Sequence, residues 1–164
     1  MGLQLPGELV SLLSMLGYTW PQADETKLFE MGGAWLQFAG KHSGSLGEVD
    51  VHAQQVWNDN RAESIEAFRS AWTREDSPKS NLEDFATAAN IIGAGMMVCA
   101  GIVLALKINV IVQLVLLAIQ IAQAIATAVV TFGASLLEIP IFKQITGIIV
   151  DQLIDMALQA VLNG

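Results

Sequence analysis

Residues 54–72 read QQVWNDNRAESIEAFRSAW. Trp57 stands directly before Asn58, Asp59 and Asn60, residues that favour turns, and a second apolar run then ends on Trp72. Asn60 with Glu63 three residues on has the spacing of a capping box, which predicts a new helix carrying Ile65, Phe68 and Trp72 on one face. The stretch reads as the turn of a helical hairpin. Two of the chain's four tryptophans flank that turn, where both can cover one end of the hairpin's apolar face.

Upstream, Leu28, Met31, Trp35, Phe38, Ala39, His42, Leu46, Val49, Ala53 and Val56 recur at three- and four-residue steps. That periodicity is one face of an amphipathic helix of about nine turns. Its middle, GKHSGSLG (40–47), is rich in glycine and predicts a bend or a loosely wound turn. Asp24 and Glu25 fall where a helix start favours negative charge, after a turn set by Trp20-Pro21. Before it, Pro6 and Gly17 bracket a short leader helix with Leu9, Leu12, Leu13 and Leu16.

Downstream, Ser80 and Glu83 form a second capping-box pair that opens an apolar segment. No charge occurs from Phe85 to Leu106 or from Ile108 to Leu137, and only Lys107 separates them. Each stretch exceeds the roughly 20 residues needed to cross a bilayer. Asn109, Gln113, Gln120, Thr127 and Thr131 nevertheless share one helical face, a polar stripe that lipid would not favour. A single helix over 82–138 would be about 85 Å long at 1.5 Å per residue, so a bend or break is expected near Gly101 or Lys107. Pro140 is expected to end the run, and IFKQITGIIVDQLIDMALQAVL (141–162) supplies a last amphipathic helix. The expected fold is all-α: an elongated four-helix bundle of two hairpins in one chain. Within a single domain over 1–164, residues 1–20 form the leader and turn, 22–76 the first hairpin and 82–162 the apolar one.

Composition narrows the function. The chain of 164 residues is 53% hydrophobic and 15% charged, with a net charge of −8. Residues 1–90 hold 6 of the 8 Lys and Arg and 13 of the 16 Asp and Glu. An acidic chain without a basic cluster argues against nucleic acid as partner. The N-terminus has no basic residue before its apolar stretch, against a secretory signal peptide. A lone Cys99 forms no internal disulfide and reads as an inert thiol. His42 and His52, ten residues apart, do not stack at metal-ligand spacing. No Gly-x-Ser-x-Gly, phosphate-cradling loop or Cys–His pair is present, so neither enzyme activity, cofactor, metal nor small-molecule substrate is expected.

The hairpin resembles the helical-hairpin proteins of the WxG superfamily, exported by type VII secretion systems. LPGELVSLLSMLGYTWPQADETKLFEMGGAW (5–35) is similar to the N-terminal module of actinobacterial polymorphic toxins and of the mycobacterial outer-membrane channel and necrotising toxin. There a leader helix precedes a Trp-Pro turn, an acidic helix start and a later Trp, matched here by Trp20-Pro21, Asp24-Glu25 and Trp35. LKINVIVQLVLLAIQ (106–120) also fits that group's lysine followed by apolar residues. Two departures stand out. Trp57-Asn58-Asp59 lacks the glycine of Trp-x-Gly, and the export motif, an aromatic followed four residues later by an acid, is met by Trp72 and Asp76 with Trp in place of Tyr.

The resemblance implies a non-enzymatic secretion-targeting and assembly module, secreted or held at the cell surface without a signal peptide. Its partners would be the type VII machinery, a helical hairpin or further copies of itself. Trp57, Trp72 and Asp76 are the candidate partner and export-signal residues. Trp20, Trp35, Phe38 and Phe68 are expected as core anchors. The alternative is a membrane-inserting or pore-forming hairpin, with Gly93, Gly95 and Gly101 at close helix contacts and the polar stripe lining an aqueous path.

Overall fold

The computed structural model describes residues 2–163; Met1 and Gly164, the outer bounds of the expected domain, lie outside them. Five α-helices follow one another: α1 (Gly7–Met15), α2 (Glu25–Asp59), α3 (Glu63–Thr73), α4 (Pro78–Thr127) and α5 (Ile139–Asn163). A 3-10 turn, Ala134–Glu138, leads into α5. No strand occurs among the described residues, and the fold is an all-α helical bundle.

Several helix ends differ from the sequence expectation. Asn60 does not cap α3: Ala62 holds that position without a side-chain cap, and Asn60 Nδ2 instead donates to Val56 O at 2.8 Å. Asn60 thus satisfies a carbonyl at the end of α2, which competes with capping. Ser77, rather than Ser80, opens α4, its Oγ accepting the Ser80 N–H at 3.1 Å with Pro78 as first helical residue. Proline suits that position because its missing N–H would have no helical partner. Pro140 likewise lies in the first turn of α5 and does not terminate the preceding helix.

Neither long helix is broken at its glycines. α2 runs unbroken through Gly40, Gly44 and Gly47, and α4 through Gly101 and Lys107. Gly40, Gly44 and Gly47 are exposed, while Ala39, Leu46 and Ala53 are buried, so packing of that seam keeps the helix continuous where propensity alone would loosen it. The break after α4 falls at residues 128–133, with Phe132 at φ 51° and Gly133 at φ 85°.

The chain folds as two compact units. In the unit Leu28–Val98, α2 and α4 run antiparallel: Phe38 meets Phe85, His42 Nε2 lies 3.2 Å from Leu82 O, and Asp50 pairs with Lys79. At their closest approach a Cβ on Gly32 would lie 2.8 Å from Gly93 O, and one on Gly93 2.9 Å from Gly32 O. Only glycine fits at either position. α4 therefore presents Ala86, Ala89 and Gly93 to α2, small residues that bring the backbones together.

The other unit combines the residues up to Lys27 with those from Cys99 onward. Here the alternating three- and four-residue seam of α4 turns large: Val110, Leu114 and Leu117 are buried, and Val110 and Leu114 join Leu9 and Leu13 of α1 and Val150 of α5 in one core. Tyr18 packs on it and donates its hydroxyl to Gly147 O at 3.1 Å. Lys107 occupies a seam position as well, and its burial is explained by the ion pair described next.

Candidate functional site

Two polar constructions stand out, one in each unit. The first surrounds Glu25, the first residue of α2, whose side chain is 5% exposed. Lys107 Nζ lies 2.8 Å from Glu25 Oε2 and donates to Ala23 O at 2.7 Å, with the Trp20 ring 5.8 Å from the ammonium. The Leu3 N–H donates to Glu25 Oε1, and Trp20 Nε1–H donates to Leu3 O at 3.2 Å. Burial would raise the Glu25 pKa, but the Leu3 N–H and the Lys107 ammonium outweigh it and bring it to about 2. The arrangement ties the irregular segment before α1, the Trp-Pro turn and α4 to one carboxylate. Both charges are hydrogen-bonded, the condition under which a buried ion pair is tolerated.

The second construction is the end of the α2–α4 hairpin, closed by α3. Asp50 accepts three donors: Trp72 Nε1–H at 2.8 Å, Lys79 Nζ at 3.0 Å and Gln54 Nε2 at 2.9 Å. The Trp72 N–H, followed by Lys79, holds the Asp50 carboxyl below the usual carboxylate range. Trp57 of α2 packs on Phe68 of α3 with centroids 5.7 Å apart, and Phe68 on Trp72 at 6.0 Å. The two tryptophans that flank the turn are thus joined through Phe68, and the second is pinned by Asp50. Beyond Trp72, the turn before α4 exposes Asp76, which Arg74 pairs with through both guanidinium donors and holds below the usual carboxylate range. Beside this end lies a polar cleft of about 330 Å³ lined by residues including Ser43, Asp50, Lys79 and Asn90.

The remaining expected anchors divide. Trp20 and Trp35 are half-buried. Phe38 and Phe68 are exposed and do not serve as core anchors: Phe38 lies beside the buried seam of α2, and α3, which carries Phe68, buries no residue at all. Phe38 instead stacks with His42 and meets Phe85 and Trp35 edge-on, and Trp35, Phe38 and Phe85 line a shallow apolar groove with Met31 and Ala34. In the polar stripe, Gln113 and Gln120 are half-buried, whereas Asn109, Thr127 and Thr131 are exposed and return their donors to carbonyls of the preceding turn. The structure does not bring the stripe together with Trp57, Trp72 and Asp76 in either unit. Sequence reading missed Asp50 and the Glu25–Lys107 pair. For Lys107 a signal existed, since it keeps the three-four register of Val110, Leu114 and Leu117; Asp50 carried none.

Residues 4–149 match the family described as the WXG100 like domain, and the chain belongs to that family. Comparison with curated proteins and with solved structures finds no match. The family assignment makes this a type VII secretion-associated helical module, of a class that works with that machinery and with helical partners.

Proposed function

We propose that this chain is the non-enzymatic targeting and assembly module of a toxin exported by a type VII system. Residues 22–76 would serve as the recognition hairpin and 82–162 as the apolar assembly hairpin, behind the leader 1–20. The observation that carries this reading is the Trp72–Asp76 pair. Trp72 is pinned to Asp50 on the hairpin end, and Asp76 follows in the exposed turn, four residues on. An aromatic held by the fold and an acid held in water give a receptor both a fixed surface and a charge. Much of the apolar surface remains exposed, including Ile91, Val98, Ile125 and Ile148, which favours a helical partner or further copies of the chain as cover. The test is export from a host with a working type VII system. Asp76→Ala is expected to keep its melting temperature and lose secretion, whereas normal secretion would remove the pair as the signal.

A second reading is favoured by one observation. Glu63–Thr127 and Ala134–Leu162 each contain a helical stretch long and apolar enough to cross a membrane, and most of either window is not buried. In that reading the two stretches insert as a hairpin. Protection of α4 and α5 from protease in vesicles is expected if they do, and complete digestion if they do not.

A further inference from the structure

The turn between α4 and α5 reverses the usual composition of a turn. Phe132, Val129 and Val130 are 99%, 86% and 81% exposed, and Leu137 is also exposed. Phe132 sits at φ 51°, a left-handed conformation that a bulky side chain adopts at a cost. It therefore gains neither burial nor backbone ease from the fold of this chain. The polar groups of the same turn behave in the opposite way. Thr127 Oγ1 donates to Gln123 O at 2.9 Å, Thr131 Oγ1 to Thr127 O at 2.9 Å, and the buried Ser135 Oγ to Ala124 O at 2.7 Å. The backbone N–H groups of Thr131, Gly133, Ala134 and Leu136 all bond to carbonyls within the segment 127–133. Each hydroxyl and these amides are satisfied without water, while the apolar side chains face outward.

With its hydroxyls and those amides already bonded, such a turn suits the interfacial layer of a bilayer, where apolar side chains can bury while water still reaches the other amides of the tip. It fits a protein interface less well, because those combine apolar anchors with a rim of polar contacts and the side chains here offer none. We propose that the α4–α5 turn is a lipid-contacting tip that places Val129, Val130, Phe132 and Leu137 in the interface of a bilayer. Charge selects the kind of bilayer. Ile108–Leu137 carries no charge, the nearest charged residue is the acidic Glu138, and Lys143 lies over Met15 Sδ at 3.7 Å. With a net charge of −8 and no cation on the tip, the chain is matched to zwitterionic lipid and is repelled by anionic lipid. The proposal deepens the membrane reading but asks for less, since the tip can seat without either helix spanning.

Flotation with phosphatidylcholine vesicles tests it, using the full chain and the variants Phe132→Asp and Val130→Asp. Both side chains are solvent-exposed, so circular dichroism should show unchanged helix content. The chain is expected to float with the vesicles, each variant to partition about tenfold or more less, and phosphatidylserine to reduce rather than increase binding. The proposal is overturned if the chain stays in the soluble fraction, if the variants float equally, or if only anionic vesicles bind. Concentration-dependent self-association abolished by Phe132→Asp, without flotation, would assign the tip to a second copy. Alkaline extraction of the floated chain separates the two membrane proposals: release retains the tip contact and contradicts spanning.

Discussion

Glu25 and Lys107 show how much depends on single side chains here. Lys107→Ala leaves a buried carboxylate without its counter-charge, held by backbone N–H donors alone, and we expect a loss of about 3–5 kcal/mol in denaturant unfolding. The pair also sets a pH dependence. The Glu25 pKa is lower in the fold than its ordinary value of 4.5, so its contribution is complete above that value and disappears as pH falls toward about 2. Glu25→Gln should flatten that acid limb of a stability–pH profile; an unchanged limb would assign it to other carboxylates. At Trp72, replacement by Phe keeps the ring and removes the indole donor to Asp50. A loss of about 1 kcal/mol is expected for this half-exposed hydrogen bond, together with a higher Asp50 pKa measurable by NMR titration. Trp57 and Trp72 were legible as neighbours across a turn from their spacing alone. What pins Trp72 was not, because Asp50 lies 22 residues away and only the antiparallel path of the chain brings it near.

At the scale of the elements, glycine has two opposite roles. Gly32 and Gly93 lie where α2 and α4 touch, so Gly32→Ala must push the helices apart and should cost about 1–3 kcal/mol. Gly44, in the exposed middle of α2, has open space around it, and Gly44→Ala should stabilise by roughly 0.5–1 kcal/mol. Urea unfolding of both variants checks the pair, and two effects of the same sign would contradict the packing described. Sequence periodicity gave the helices and their apolar faces but misjudged their continuity. GKHSGSLG reads as an interruption because propensity is local, whereas the buried Ala39, Leu46 and Ala53 keep the helix continuous through it. The same holds for α4, which runs unbroken past Gly101 and Lys107 and ends at Thr127, shortly before the positive-φ Gly133.

For the whole molecule, the dominant fact is the mismatch between composition and burial. A chain that is 53% hydrophobic leaves residues as apolar as Ile91, Phe132 and Leu162 exposed. Sedimentation equilibrium without detergent should therefore give a mass above 17.6 kDa, and a monomer at all concentrations would argue against assembly through these faces. The family was readable from the helical hairpin around Trp57 and Trp72; the partner surface was not, since exposure is decided only once the helices pair. The central claim is export by a type VII apparatus. Its most direct test is the amount of this chain in the culture medium of two otherwise identical hosts, one with the apparatus intact and one with its ATPase inactivated. Secretion from the first host alone is the predicted result. Equal release from both, or retention in the membrane fraction of both, would contradict it.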